Sequence, residues 1–287
     1  MNPMNYRPNG IPVTNLSSQL WCEKQLEFSL EFGRIETGGM QKGKERHQDL
    51  HEEVADLVAV EPKSLEDNIG LRLHNCLVGL TRLRTEGMTR ETPIWGKVNS
   101  LFTIGFIDEI KAVDGKLRLI DTKTRKSSSM PSEAQKRTTR FQLMLYRHLF
   151  NSINDGTFKT DDFLNFYGFN KDSGITEEFE KQITDLGDKI EPNIQKSAND
   201  VFSFIRKLQE IDDVFEVRYE YQETGEMIGV DEFNFDSYEF KRNCDFVEEF
   251  WLGKRGAMRV GENNKWKCKF CEFESTCWSN TKTLNQF

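Results

Sequence analysis

No stretch of this 287-residue chain approaches the ~20 consecutive apolar residues that a helix needs to cross a bilayer, which argues against an integral membrane protein. Positive charge does not prevail either. The chain carries 39 Lys and Arg against 47 Asp and Glu, a formal net charge of −8. It is therefore no general coat for polyanions, and any nucleic-acid contact has to be local. The first 22 residues hold one Arg and no acid, too little for a transit peptide and unlike a secretory leader. Without such a leader, paired disulfides are not expected, and the six cysteines should be thiols or ligands. Internal repeats and low-complexity segments are also missing. What is present, 37% hydrophobic and 30% charged residues, is an ordinary globular composition with enough chain to bury a large core.

The most informative stretch is Leu101 to Lys126, LFTIGFIDEIKAVDGKLRLIDTKTRK. Asp114-Gly115 is a strong two-residue hairpin signal, because a type I′ turn needs positive φ at both central positions. Counting outward from that turn pairs Val113 with Lys116 and Ile110 with Leu119, and sets Asp108 opposite Asp121. Opposed residues share a face, so two carboxylates would meet on the otherwise apolar side that carries Ile104, Phe106, Ile110, Leu117 and Leu119. Buried like charges need compensation, and a divalent cation supplies it; carboxylate oxygens suit Mg²⁺ or Mn²⁺. Lys123 points the same way, about 7 Å further along the strand. Two acids and a lysine around a hard metal suit phosphodiester hydrolysis. The plainer alternative is a surface hairpin with scattered charges.

Along the rest of the chain, residues 1–14 read as a flexible tail and 15–287 as a single domain. A helix is expected from Asn15–Ser18 through Leu20, Cys22 and Leu26 to Phe32, broken by Gly38-Gly39. A second should run from Met40 to Val60 with His47, Leu50, Val54 and Leu57 on one stripe, and a third from Leu65 to Arg84. Thr89–Val98 begins the strands. Ser127–Pro131 is a polar loop, and a helix follows from Ser132 to Ile153. Phe163–Phe169 reads as a strand, Thr176–Leu186 and Asn193–Ile211 as helices, Val214–Gln222 and Met227–Phe233 as strands, and Ser237–Lys254 as a helix. The pattern predicts an α/β fold with a mixed sheet flanked by helices.

Cys268, Cys271 and Cys277 lie within ten residues near the C-terminus. That is a ligand pattern one thiolate short of a closed site. The fourth would be Cys22, Cys76 or Cys244, and spacing does not choose between zinc and an iron–sulfur cluster.

Taken together, these residues resemble the exonuclease V family, in the RecB-like branch of the PD-(D/E)xK nucleases. The matching elements are Gly43–His47, Gly105–Asp108, Asp121-Thr122-Lys123, Gln142–Tyr146, and Cys22 with Cys268, Cys271 and Cys277, in family order. SSQLWCEKQLEFSL and GMTRETPIWGKV are similar in wording as well. Two positions depart: Ile107 stands where the motif has proline, and Asp121 where many relatives have glutamate. The resemblance implies a restriction-endonuclease-like sheet and a 4Fe-4S cluster on the four cysteines, structural in role, joining the N- and C-terminal segments. It implies Mg²⁺ or Mn²⁺ on His47, Asp108, Asp121 and the Thr122 carbonyl. Lys123 would stabilise the charged transition state, and Gln142 and Tyr146 would steady that lysine and the phosphate. On the residues alone, His47 would be a core histidine, and Gln142 and Tyr146 ordinary helix residues.

Nine cations between Lys116 and Arg147 face two acids there, Asp121 and Glu133. Arg125, Lys126, Lys136, Arg137 and Arg140 are accordingly the expected DNA contacts. The activity implied is metal-dependent exonucleolytic hydrolysis of single-stranded DNA from a free end, releasing short oligonucleotides in repair or genome maintenance. A single-strand-binding protein is a candidate partner, and the chain is expected to act as a monomer. The expected location is intracellular, the nucleus ahead of the mitochondrion. The alternatives are a related RecB-like or CRISPR-adaptation nuclease, a non-catalytic single-strand-binding module on the same fold, and a zinc-stabilised scaffold.

Overall fold

The computed structural model describes residues 2–53 and 60–279. Six strands form one mixed sheet: β1 (Ile11–Pro12), β2 (Met88–Val98), β3 (Leu101–Val113), β4 (Lys116–Arg125), β5 (Val214–Tyr221) and β6 (Met227–Asn234). The order is β1-β3-β4-β5-β6, with β2 on the other edge of β3. Ten α-helices accompany it among the described residues: α1 (Val13–Ser18), α2 (Glu23–Phe32), α3 (Gly38–Glu52), α4 (Leu65–Glu86), α5 (Glu133–Asn154), α6 (Thr160–Tyr167), α7 (Glu177–Asp185), α8 (Ile194–Ile205), α9 (Ser237–Trp251) and α10 (Glu274–Ser279). The mixed α/β architecture is the one the pattern predicts.

The β3–β4 hairpin has the expected register. Val113 pairs with Lys116, Ile110 with Leu119 and Glu109 with Ile120. Asp114 and Gly115 both take positive φ, 50° and 78°. The ladder stops at Glu109 and Ile120, one step short of Asp108 and Asp121, and β4 continues in parallel with β5. Because β2 occupies one edge of β3 along nearly its whole length, β1 and β4 share the other. β1 takes that edge at Thr103 and Ile104, beyond the point where β4 leaves it.

This arrangement corrects the reading of residues 1–14 as a flexible tail. Pro3 is buried, Ile11 and Val13 are fully enclosed, and Met4 packs on the core. A two-residue strand has no periodicity to announce it; what orders the segment is the vacant edge of β3. The single long N-terminal helix is also two helices. Cys22, with φ −164° and ψ 114°, breaks the path and stands at the start of α2. Val54 and Leu57 lie outside the described residues.

Phe163–Phe169, expected as a strand, falls in α6 and the turn after it. The side chain of Asp162 accepts the Lys159 amide at the helix start, and Gly168 ends it at φ 72°. Phe163 and Tyr167, one turn apart, then meet edge to face, and Phe163 packs on Phe202. The aromatic run satisfied a strand pattern, but its caps are helical. The helix expected over Asn193–Ile211 ends at Ile205, where Asn154 Nδ2 donates to the carbonyls of Ile205 and Leu208. α4 and α5 both lie on β2, and α5 also meets β4. α4 begins with a reciprocal Ser64–Asp67 capping box and ends at Gly87 in the left-handed region.

Candidate active site and cysteine pole

The fork between β3 and β4 opens a cleft of ≈ 1320 Å³, lined by residues of α3, α4, β2, β3, β4 and α5. Three carboxylates stand in a row at its head. Asp108 is the middle one, on β3. Asp121 of β4 lies on one side, and Glu91 of β2 on the other, between the pairs Arg90–Glu109 and Thr92–Ile107. Glu91 adopts φ 48°, an uncommon conformation for a residue with a side chain, in the middle of a strand. His47 comes in from α3, with Nδ1 3.4 Å from Glu91 Oε1 and 3.8 Å from Asp108 Oδ2. Ligand atoms of His47, Glu91 and Asp108 all lie within 4.8 Å of one another.

Lys123 Nζ sits 2.8 Å from Asp121 Oδ1 and 3.8 Å from Asp108 Oδ2. Oδ2 of each aspartate is nonetheless buried without a hydrogen-bond partner. Burial, then the charge of Asp121, holds the Asp108 carboxyl well above the usual carboxylate range. Burial would raise Asp121 too, but the Lys123 charge and hydrogen bonds with Asp108 and Lys123 outweigh it and hold Asp121 low. Burial lowers Lys123 less than the two carboxylates raise it, so the ammonium stays charged. Two bare oxygens and a nearby imidazole and carboxylate form a donor set that fits a hard divalent cation.

Tyr146 and Gln142, one turn apart on α5, reach the cleft beside this row. The phenol is raised well above its usual value by burial and then by the Asp108 charge, so it remains a neutral hydroxyl. Gly105 makes its approach possible: a Cβ there would lie 2.5 Å from Tyr146 Cε1 and 3.2 Å from Val13 Cγ2. The glycine three residues before Asp108 thus admits both the tyrosine and the N-terminal segment. Thr122 is buried on β4 between Asp121 and Lys123.

The structure brings His47, Asp108, Asp121, Lys123, Gln142 and Tyr146 together. It adds Glu91, which the sequence reading passed over. Val98 pairs with Leu101 across a two-residue turn, so the same outward count that pairs Asp108 with Asp121 would also have set Glu91 opposite Asp108.

The expected DNA contacts fare differently, for none of the five lines the cleft. Lys136 Nζ lies 3.1 Å from Asp231, and Arg140 makes a two-pronged pair with the same carboxylate at 2.7 and 2.8 Å. Arg137 reaches Asn243 and Glu239, and Arg125 donates to the Ser129 carbonyl. Lys126 is exposed, beside Gly39. A charge count along the chain misses acids that β6 and α9 bring in from a distance. The cations on the cleft wall, besides Lys123 and Arg90, are Arg34, Lys44, Arg72 and Arg82.

At the other pole, Cys22, Cys268, Cys271 and Cys277 surround one small cavity with Trp21, Phe28 and Lys267. Cys76 and Cys244 are buried elsewhere, and Cys76 Sγ donates to the Pro93 carbonyl. Burial pushes the Cys22 thiol up, helped by Cys277 and Cys268, and pushes Cys271 up to about 11. Lys267 is 7% exposed, its Nζ donating to the Trp21 carbonyl and standing 4.5 Å from that indole ring. Four convergent thiols beside a buried ammonium fit a thiolate-ligated group of net negative charge.

Comparison with known proteins agrees with this picture. A family profile described as exonuclease V, a 5′ deoxyribonuclease, matches residues 5–116, 111–207 and 201–279. Exonuclease V of Danio rerio is 26% identical over 285 residues, covering 96% of this chain and 72% of that protein. Mitochondrial exonuclease V of Candida albicans is 28% identical over 69 residues, 24% of this chain and 11% of that one. The crystal structure of SSO0001 aligns over 94% of this chain and 86% of its own, at 14% identity and a TM-score of 0.46, a distant likeness. The profile runs from the N-terminal segment on β3 through the acid row to the last of the four cysteines, and the chain belongs to the exonuclease V family.

Proposed function

We propose that this nuclease is a metal-dependent exonuclease that hydrolyses single-stranded DNA from a free end and releases short oligonucleotides. The observation that carries the reading is the row Glu91–Asp108–Asp121, in which Asp108 and Asp121 each bury an oxygen that no cation of the chain hydrogen-bonds. Asp108, Glu91, His47 and Asp121 would hold Mg²⁺ or Mn²⁺. When bound, such an ion polarises the scissile phosphate and lowers the pKa of water.

The chain's own groups do the rest. Lys123 Nζ, kept charged by Asp121, offers its protons to the negative charge that develops on the phosphate. Tyr146 Oη, kept neutral, and Gln142 provide hydrogen-bonding groups on the α5 side of the same point. Arg34, Lys44, Arg72 and Arg82 hold a phosphate backbone in the cleft, so affinity should fall as salt rises. The family's description as a 5′ deoxyribonuclease suggests attack from the 5′ end, and a role in DNA repair follows from such an activity. Retention of the whole acid row with its lysine favours an enzyme over a binding module.

Cys22, Cys268, Cys271 and Cys277 would hold a 4Fe-4S cluster, whose chemistry here is cross-linking. Purified protein should be brown, absorb near ~400 nm and carry iron and acid-labile sulfide. Stoichiometric zinc in colourless protein would overturn this assignment.

The deciding experiment is digestion of one oligodeoxynucleotide labelled at either end, with a circular single strand as control and Mg²⁺ present or chelated. We expect the 5′ label in short products, an intact circle, and no reaction in chelator. Cleavage of the circle would rule out the requirement for an end, and no cleavage of any substrate would rule out the nuclease.

A further inference from the structure

We propose that Phe106 is a stacking platform for one base of the substrate strand, placed beside the acids so that only an unpaired nucleotide seats at the cutting point. The proposal rests on the nuclease reading above and names how that site selects its substrate.

Phe106 belongs to β3, a strand with neighbours on both edges, yet it is 40% exposed. Phe102, four residues earlier on that strand, shows the usual fate of such a side chain. It is 4% exposed and stacked on Phe166 at 3.6 Å between ring centroids. Phe106 has no such ring partner among the described residues and opens into the cleft instead. The group that does approach it is Arg72 of α4, with Cζ 5.5 Å from the ring centroid. An aromatic face paired with a guanidinium is the combination that holds single-stranded nucleic acid without reading its sequence.

Position supplies the second argument. Two residues along a strand put Phe106 about 7 Å from Asp108 on the same face, within one nucleotide of a phosphate at the acid row. The cleft offers each half of a nucleotide its own surface. Val78 and Leu186, 43% and 52% exposed, give it apolar wall, while Lys44, Arg72 and Arg82 give it cations. A base within a duplex is stacked and paired, and freeing it costs energy that a single strand does not require. Stacking on Phe106 therefore favours an unpaired end at the point of cleavage.

The test compares Phe106→Ala, Phe106→Leu and Phe106→Trp with the wild type on an oligodeoxynucleotide and on the same strand with one abasic residue stepped along its first positions. Phe106→Ala and Phe106→Leu should raise KM about tenfold to a hundredfold at little change in kcat, the range set by one base–aromatic stack. Phe106→Trp should restore it. One abasic position should cost the wild type a similar factor and cost Phe106→Ala nothing further. Unfolding temperatures should match the wild type, which separates stacking from a structural role. An unchanged KM in Phe106→Ala, or equal abasic penalties in both proteins, would overturn the platform. Should the wild type cleave nothing, the nuclease reading fails separately. Binding of the same strands followed by fluorescence anisotropy then decides for the platform if Phe106→Ala binds more weakly, and against it if affinity is equal.

Discussion

Asp108 and Glu109 are neighbours on β3 that point to opposite faces of the pleat, and the two faces treat a carboxylate in opposite ways. Glu109 is 2% exposed and meets Arg90 at 2.6 Å and Arg218 at 3.5 Å. Asp108, at the same level of the sheet, is flanked by Glu91 and Asp121, with Lys123 and His47 both 3.8 Å away and one oxygen left bare. Cations were not in short supply, because Arg90 is the residue next to Glu91. β2 presents an arginine to one face and a further acid to the other. Charge balance at Glu109 is complete within the chain, whereas at Asp108 it is finished by something from outside. Buried charge of the first kind is architecture; buried charge of the second kind marks a site.

The comparison breaks most sharply through activity. Asp121→Ala or Asp108→Ala should lower cleavage at least about a thousandfold, because each removes a ligand whose work is done in the transition state. The unfolding temperature of Asp108→Ala should stay level or rise, since it relieves crowding of two buried acids, whereas Asp121→Ala also strands Lys123 and should melt lower. A gel assay and a thermal melt on the same samples decide it, and undiminished cleavage in Asp121→Ala would remove the proposed centre. Glu109→Ala should behave in the reverse manner. It strands Arg90, 10% exposed, without its partner, and a broken buried pair costs roughly 3–5 kcal/mol. Denaturant unfolding should show that loss, while kcat in the folded fraction stays close to the wild type.

Much of this contrast was legible in the sequence, and the exceptions share a cause. Asp114-Gly115 set the β3–β4 register, and that register alone brought Asp108 to Asp121. Glu91 was equally countable from Asn99-Ser100, but that turn lacks glycine and the residue sits before Thr92-Pro93, where strand signals are weak. Spacing made Cys268, Cys271 and Cys277 legible as ligands, but Cys22 was legible as the fourth only through the family resemblance, for nothing local ties it to Cys268. Arg140 and Lys136 read as free cations because Asp231, which pairs with both, comes from a strand some ninety residues later. Local pairing rules recover sites built from hairpins. They do not recover ion pairs closed across the fold.

A smaller effect sharpens the same contrast from the side of the ligand. Mg²⁺ or Mn²⁺ at a hundred times its dissociation constant should stabilise the protein by about 2.7 kcal/mol, by mass action on the folded state. Asp108→Asn should lose that increment, and Glu91→Gln should need about tenfold more metal to reach it, one charged ligand fewer. Glu109→Gln should keep the whole increment, although its starting stability is lower. Titrating unfolding temperature against metal in the three variants checks this. A Glu91→Gln curve that overlays the wild type would take Glu91 out of the donor set.

Asp67 provides the smallest and most specific check, because it is a buried acid on α4 that the fold fully satisfies. Its Oδ1 accepts the Thr176 amide at 2.7 Å, and its Oδ2 accepts the Lys63 and Ser64 amides and the Thr176 hydroxyl, each at 3.2 Å. Burial pushes its pKa up, but these donors, the Thr176 amide foremost, outweigh that and hold it below the usual range. A carboxyl depressed in the folded state stabilises the protein above its unfolded value of about 4, and that stability drains away as pH falls through the folded value. Asp67→Asn should therefore cost about 1–2 kcal/mol at neutral pH, the worth of a hydrogen-bonded carboxylate whose replacement accepts through one oxygen only. The gap should close as acid protonates the wild type, which melts at matched pH between neutrality and about 3 would reveal. Metal should leave it untouched. A gap that persists unchanged in acid would mean that packing, and not the charge, holds α4 to the Thr176 turn.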